Sequence, residues 1–577
     1  GDRYHAEVRA LRGLYQSERL QEALWWQNPP FAKNTLPALL RGDCLHDSSK
    51  SRRRLRKFVS YLQRYCAKNE VIGFFGPVGF GSLAEELKEP RESDGNWLRQ
   101  RRVYLEPWVI RVLWYHFTTR VPEYALLYLS PKVRVRGGVI FDGSRSRRAD
   151  GGRAITPEMS ELLDLLRERP RSRAELVAED HQEATIDLAH RKGWISTLPA
   201  IPSDGSPLVW ARNQADSYHP SIRDPLLQEL AHYETLLERM SKERSGLAPL
   251  PQVICEFQEL LASRNSGDSS RNKGSFYGGR LGFYEDCRRR PLDVPADWLN
   301  PLLPALSLVL QSARWMALRT ASRADQLFTE RADRLHLRLG DGFPAVFLWE
   351  RTRDIFSDPV KFLFQDAKAE LAERWRQVLG EQTPNKGVCR WRSEELSAGV
   401  ERFFPEQQFS YKGARFHSCD LLFTSQGKAV LGELHPCLFP FQDLSTTLQH
   451  PDLGKLRQWY EDRSPGREVR PATFVPFTRL HLDGRIDKEA QAVLVDPHHG
   501  SWRPLDRQIR LGDVTVHKVG EKFMLCGPGE MEVGLLDFFT PDLCELQHLH
   551  FSPFDWVEPG LRLEIDEMVV HRAKWRL

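Results

Sequence analysis

Apolar positions recur at helical spacing through most of the first 70 residues. The run "RGLYQSERLQEALWWQN" (12–28) carries them three and four apart, and Pro29–Pro30 is expected to stop that helix. The pattern then becomes mixed. "KVRVRGGVIFDG" (132–143) alternates with period two about Gly137 and Gly138, as a hairpin does. "TPEMSELLDLLRERP" (156–170) predicts a helix with a Thr cap and a Pro in its first turn. A basic helix and "GWIS" follow, predicting a small winged-helix-like insert. Residues 200–220, rich in Pro, Ser and Gly, read as a boundary, and 222–265 and 296–335 read as helical. From 410 onward strands dominate: "DLLFTSQGKAVLGELHP", "ATFVPF", "AVLVDP", "VTVHKVG" and "VVHRAKWRL". The expected fold is α+β and multi-lobed, with a helical N-terminal part and a strand-rich C-terminal part. Its expected divisions are a helical and mixed lobe at 1–150, a small helical insert and linker at 151–220, a mainly helical lobe at 221–400, and a strand-rich lobe at 401–577.

A chain of 577 residues exceeds one ordinary core, so two to four domains are expected. With 41% hydrophobic and 28% charged residues, and no apolar run of membrane-spanning length or signal peptide, the sequence reads as a globular protein without a membrane partner. Gly1 is not a natural start, which is consistent with either a missing upstream segment or a missing tag. The nine cysteines are scattered singly without a CxxC pair, which points to reduced thiols and a cytoplasmic location. Net charge is only +4, yet 82 Lys and Arg form local runs such as "RRRLRK" (52–57), "RQRR" (99–102) and "RSRR" (145–148). Such runs are either solvated faces or nucleic-acid contacts.

The stretch "YLQRYCAKNEVIGFFGPVGFG" (61–81) joins a basic helix to a loop of four glycines. At 100° per residue, Arg54, Lys57, Tyr61, Arg64 and Lys68 form one stripe, and Leu55, Val59, Leu62 and Cys66 are expected to face the core. Glycines at 73, 76, 79 and 81 either let backbone amides approach a phosphate or let the helix dock on a strand. No Walker A Gly-Lys-Ser/Thr follows.

Two further segments carry candidate chemistry. "SCDLLFTSQGKAVLGELHP" predicts a hairpin with Asp420 near one end and Glu433 and His435 at the matching end of its partner. Paired carboxylates there suit Mg²⁺ with ATP, as in ATP-grasp enzymes, with His435 as a nucleotide contact. They equally suit salt bridges to surface Arg or Lys. In "GGRLGFYEDCRRR" (278–290), Arg280 suits a phosphate or carboxylate, and Asp286 a metal or a base to be oriented; a salt-bridged turn is the alternative.

The glycine-rich segment resembles the signature of the N-terminal region of lantibiotic (lanthipeptide) dehydratases, an arginine helix running into an Arg-Thr-Pro-Phe-Gly loop. The resemblance continues in order through "GGRLGFYEDCRR" (278–289), "LQSARW" (310–315), "HSCDLLF" (417–423), "VLGELHP" (430–436), "QHPD" (449–452) and "MVVHRAKWR" (568–576). It implies chemistry driven by aminoacyl-tRNA on a ribosomally made precursor peptide, which the family recognises by strand addition to a small domain, expected here within 85–220. Arg64 matches the first family arginine and Lys68 stands at the second, while Glu70 and Val71 replace the threonine and proline and Gly73 is kept. An Arg-to-Lys change trades a planar fork for a point charge. The elimination region of the dehydratases is not expected in this chain. The leading expectation is therefore an ATP-dependent ligase that adds an amino acid from aminoacyl-tRNA to a peptide C-terminus. It would use ATP and Mg²⁺ at Asp420 and Glu433, with Arg64, Lys68, Arg280 and Asp286 as catalytic candidates. The alternatives are a glutamyl-tRNA-dependent transferase esterifying Ser or Thr, and a non-catalytic peptide- or tRNA-binding relative.

Overall fold

The computed structural model describes residues 2–67, 73, 76–81, 83–84, 98–142, 152–199, 201, 207–242, 249–271, 280–291, 294–381, 383–406, 410–423, 428–435, 450–452, 454–455, 458, 462, 469–471, 493–496 and 508–574. The chain opens with α1 (Asp2–Tyr15) and α2 (Glu18–Gln27). The periodic run is split because Ser17 Oγ accepts from the Leu20 amide at 3.5 Å and starts a new helix. Pro29 does not simply stop α2. Asn28 Oδ1 accepts from the Phe31 amide at 3.0 Å, and Pro29 opens α3 (Pro29–Asn34), where its missing N–H is no loss.

α4 (Ser49–Ala67) closes this layer over a core of Val8, Leu24, Leu39, Leu55 and Phe58. Its inner side corrects the expected one: Ser51, Leu55 and Phe58 are buried, Tyr61, Leu62 and Tyr65 pack beside them, and Cys66 is exposed. Aromatic rings bury far more apolar area than Val59 or Cys66 offer, so they set the helix's rotation. Arg54 and Tyr61 consequently leave the outward stripe. Arg54 lies 3.9 Å from Asp43, and the Tyr61 hydroxyl accepts from Asn28 Nδ2 at 2.5 Å.

Next come β1 (Leu98–Leu105) and α5 (Pro107–Thr118). β2 (Leu126–Leu129) is the centre of a three-stranded antiparallel sheet between Arg171–Ser172 and Ile195–Ser196. Over it pack α6 (Pro157–Glu168) and two shorter helices, closing a core of Leu127, Leu162, Leu166, Ile186 and Trp194. Thr156 Oγ1 caps α6, accepting from the Met159 amide at 3.2 Å. The adjoining hairpin turns at Gly137 and Gly138, with φ of +57° and +72°.

The region 222–265 is two helices, α7 (Pro220–Lys242) and α8 (Leu250–Arg264). With α2 and α5 they bury one face of a strand pair formed by β1 and β3 (Phe283–Arg289). The largest core surrounds α9 (Leu303–Leu339), a 37-residue helix. A mixed five-stranded sheet adjoins it, built from β4 (Val388–Trp391), β5 (Ser418–Phe423) and β6 (Ala429–His435). After α10 (Leu535–His550), β7 (Arg562–Ile565) and β8 (Met568–His571) complete it in the order β4-β7-β8-β6-β5. The small sheet module meets this part where the Gly512 amide donates to the Pro131 carbonyl at 2.7 Å and Lys132 pairs with Glu350 at 2.9 Å. Among the described residues, no helix is long and apolar enough to cross a membrane.

Candidate functional site

The strand pair β1–β3 is the frame of the N-terminal site. Asp286 stands opposite Arg102, Glu285 opposite Val103 and Cys287 opposite Arg101. Opposed residues share a face, so Asp286 and Arg102 lie on one side and Glu285, Cys287 and Arg101 on the other. The glycine-rich run lies along the free edge of β3. The Val78 amide donates to the Cys287 carbonyl at 2.8 Å, and the Arg289 amide donates to the Val78 carbonyl at 2.7 Å.

Two of the glycines follow from that approach. A Cβ at Gly73, whose φ is +49°, would lie 1.9 Å from Glu285 Oε2. A Cβ at Gly79 would lie 2.7 Å from Arg289 Cγ. The loop is thus glycine-bearing where it crosses the side chains of β3. Lys68, Glu70, Val71, Phe74 and Phe75 lie outside the described residues.

On the Glu285 face, Arg101 is held twice. Its Nε is 2.9 Å from Glu285 Oε1, and its Nη2 donates to Glu22 Oε1 at 3.0 Å. The guanidinium also sits 5.6 Å from the Trp26 ring centroid. Side-chain exposures of 8% for Arg101, 5% for Glu285 and 18% for Glu22 make this a largely desolvated cluster. Burial alone would lower the Arg101 pKa, but Glu285 and Glu22 outweigh it and the net shift is upward. Burial and Glu285 push the Cys287 thiol far up, so it stays protonated. Tyr65, at the end of α4, is pushed up by burial and by Tyr61, with Arg64 opposing and Glu285 adding. Tyr65 thus lies within reach of both the Arg64 and the Glu285 charges.

The other face holds Asp286, which is fully buried, with Arg102 and Tyr104. Burial, then the Asp286 carboxylate, push the Tyr104 phenol up to about 12 against the pull of Arg102. Tyr104 is therefore a neutral hydroxyl at physiological pH. Asp286 and Glu285 thus face opposite sides of β3. Arg280 lies on a short strand paired with Ser270–Arg271, and its side chain is outside the described residues.

In the C-terminal part, β5 and β6 pair antiparallel with an irregularity between Cys419 and Leu421. Cys419 faces Leu434 and Leu421 faces Leu431, so Asp420 stands opposite Gly432 and Glu433. Glu433 is 58% exposed, and His548 Nε2 is 3.8 Å away. The backbone of His435 pairs with Ser418, and its side chain is outside the described residues. Among the described residues, no group of three His, Cys, Asp or Glu side chains is placed as a metal shell. Carboxylate oxygens such as those of Asp420 and Glu433 are the donor type that Mg²⁺ takes from a protein.

The sequence reading singled out Arg64 and Asp286, gave Glu285 no role and Arg101 only a place in a basic run, and missed Glu22 and Tyr104. Glu22 and Arg101 are 79 positions apart, and no local spacing signals their meeting.

No protein-family model and no curated protein matches the sequence. The backbone is similar to that of solved structures. One is the glutamylation domain TbtB from thiomuracin biosynthesis, with TM-score 0.57 and 14% identity over 98% of this chain and 73% of that one. The same domain bound to 5′-phosphodesmethylglutamycin has TM-score 0.53 and 15% identity over the same shares. The tRNA-dependent lantibiotic dehydratase MibB from Microbispora sp. 107891 has TM-score 0.56 and 14% identity over 98% of this chain and 58% of that one. The fold is that of the N-terminal region of the lantibiotic dehydratases. It is α+β and mixed throughout, and it agrees with the motif resemblance.

Proposed function

We propose that this chain is a tRNA-dependent enzyme that moves glutamate from glutamyl-tRNA to a Ser or Thr hydroxyl of a ribosomally made precursor peptide. The observation that carries this reading is the match of nearly the whole chain to a glutamylation domain, 98% of its length. The chemistry asks little of an energy source. The attacking hydroxyl forms an ester as the tRNA ribose ester breaks, and the ribose hydroxyl leaves with the proton. Catalysis then consists of positioning and of stabilising negative charge on the carbonyl oxygen, for which the Arg64 guanidinium is the candidate. Lys68 would add a second cation, Arg280 a contact to the glutamate carboxylate or a phosphate, and Asp286 would orient the substrate through Arg102 and Tyr104.

A second reading is supported by Asp420 and Glu433 standing opposite one another across β5 and β6. It is the ATP-dependent ligase. A peptide carboxylate is a poor electrophile, so joining it to the amine of an aminoacyl-tRNA needs prior phosphorylation. Asp420 and Glu433 would hold Mg²⁺, and His435 would contact the nucleotide.

The test incubates the protein with glutamyl-tRNA and a panel of peptides bearing Ser, Thr and varied C-termini, with and without Mg²⁺-ATP. A base-labile glutamyl ester formed without ATP supports the transferase. Base-stable, ATP-dependent extension at the C-terminus replaces it with the ligase. Binding of glutamyl-tRNA and peptide without either product leaves a non-catalytic binding protein.

A further inference from the structure

Two arginines near the start of α4 meet a carboxylate, and three neighbouring cations that meet none among the described residues fall on one side. Arg52 donates to Asp47 at 2.6 Å, and Arg54 lies 3.9 Å from Asp43. Arg53, Arg56 and Lys57 are exposed, and no carboxylate among the described residues reaches them. With Phe58 and Leu55 turned to the core, the helical angles of Arg53, Lys57, Ser60 and Arg64 fall within a strip about 60° wide, and Arg56 borders it. From Arg53 to Arg64 the helix rises about 16 Å, the axial length of four to five phosphates of one strand.

We propose that Arg53, Arg56 and Lys57 form a phosphate-binding rail on α4 that leads an RNA strand to Arg64 and the β1–β3 site. The inference rests on the tRNA-dependent reading above and names the surface that would hold the tRNA. Unpaired cations retain their full attraction for an external anion, because no internal carboxylate must first be displaced. The exposed side of α4 also carries Ser60 and Gln63 but no large apolar side chain. It therefore lacks what an interfacial helix inserts into a lipid surface, which disfavours a membrane as the anionic partner.

The experiment measures binding of a glutamate-accepting tRNA by fluorescence anisotropy between 50 and 200 mM salt. It compares the unaltered protein with Arg53→Gln/Arg56→Gln/Lys57→Gln. Each phosphate contact contributes about 0.7–0.9 to the slope of log affinity against log salt, so losing three should flatten the slope by about 2–3. Across that fourfold salt range the loss of affinity should shrink by about twenty- to fortyfold. Arg53→Lys/Arg56→Lys should keep the slope, and so should Lys192→Gln/Lys361→Gln/Lys368→Gln, which removes equal charge elsewhere. Melting curves and circular dichroism spectra check that each variant is folded. An unchanged slope in the first variant, or an equal loss in the distant one, overturns the rail while leaving tRNA dependence standing. If the unaltered protein binds no tRNA at any salt, both fall.

Discussion

Arg101→Met should be among the most costly single changes in the N-terminal part. The side chain is 8% exposed and joins α2, β1 and β3 through Glu22 at 3.0 Å and Glu285 at 2.9 Å. Removing the guanidinium leaves two neighbouring carboxylates without their common cation. Breaking a buried ion pair from one side costs about 3–5 kcal/mol. Partial exposure of Glu22 favours the lower part of that range, and the lost contact with Trp26 adds about 1 kcal/mol. The Arg101 pKa is shifted upward because Glu285 and Glu22 outweigh its burial, so the guanidinium stays charged and its removal is felt by both carboxylates. Urea unfolding followed by circular dichroism gives the loss, and hydrogen exchange over 98–105 and 283–289 locates it. Arg101→Met/Glu285→Gln should recover part of the stability. Arg390→Met is the internal comparison. Glu564 is also buried, but it would keep Lys428 at 3.2 Å and Arg562 at 2.7 Å, so the cost should stay below about 1 kcal/mol. Equal losses for the two methionine variants would refute the argument that redundancy of partners decides the cost.

Gly73→Ala should impair glutamyl-tRNA binding more than it lowers the melting temperature, because its Cβ would strike the Glu285 carboxylate at 1.9 Å and displace the glycine-rich loop from β3. Equal tRNA affinity in titrations would remove that loop from the site. Gly512→Ala places a Cβ 2.4 Å from the Val133 carbonyl oxygen and should loosen the small sheet module, read as faster proteolysis within 126–196. Burial lowers the pKa of His550 and His571, so the unfolded chain takes up protons first as pH falls below about 6.5. The stability they contribute is complete above that pH and is lost progressively below it. His550→Gln/His571→Gln should flatten the decline between pH 7 and 5 in urea titrations, and an unaltered decline would exclude these two as its source.

Local chemistry made much of the fold legible. The Thr156 cap, the Gly137–Gly138 hairpin and the pairing of 418–423 with 429–435 each depend on residues a few positions apart, and period and turn chemistry report such features directly. Pro29 was legible only as a break, since whether a proline ends one helix or opens the next depends on whether Asn28 caps it. The rotation of α4 needed the tertiary structure. Sequence angles define a stripe, but Phe58 and Tyr65 compete with Val59 and Cys66 for the core, and packing against α1 to α3 decides the competition. The site divides in the same way. Arg64 and Asp286 are marked by their motifs, whereas Glu22, Arg101 and Glu285 become a cluster only when α2, β1 and β3 converge. Sequence determines which residues can carry charge and where the chain can turn. Charges distant along the chain interact only after folding has brought them together and excluded the water between them.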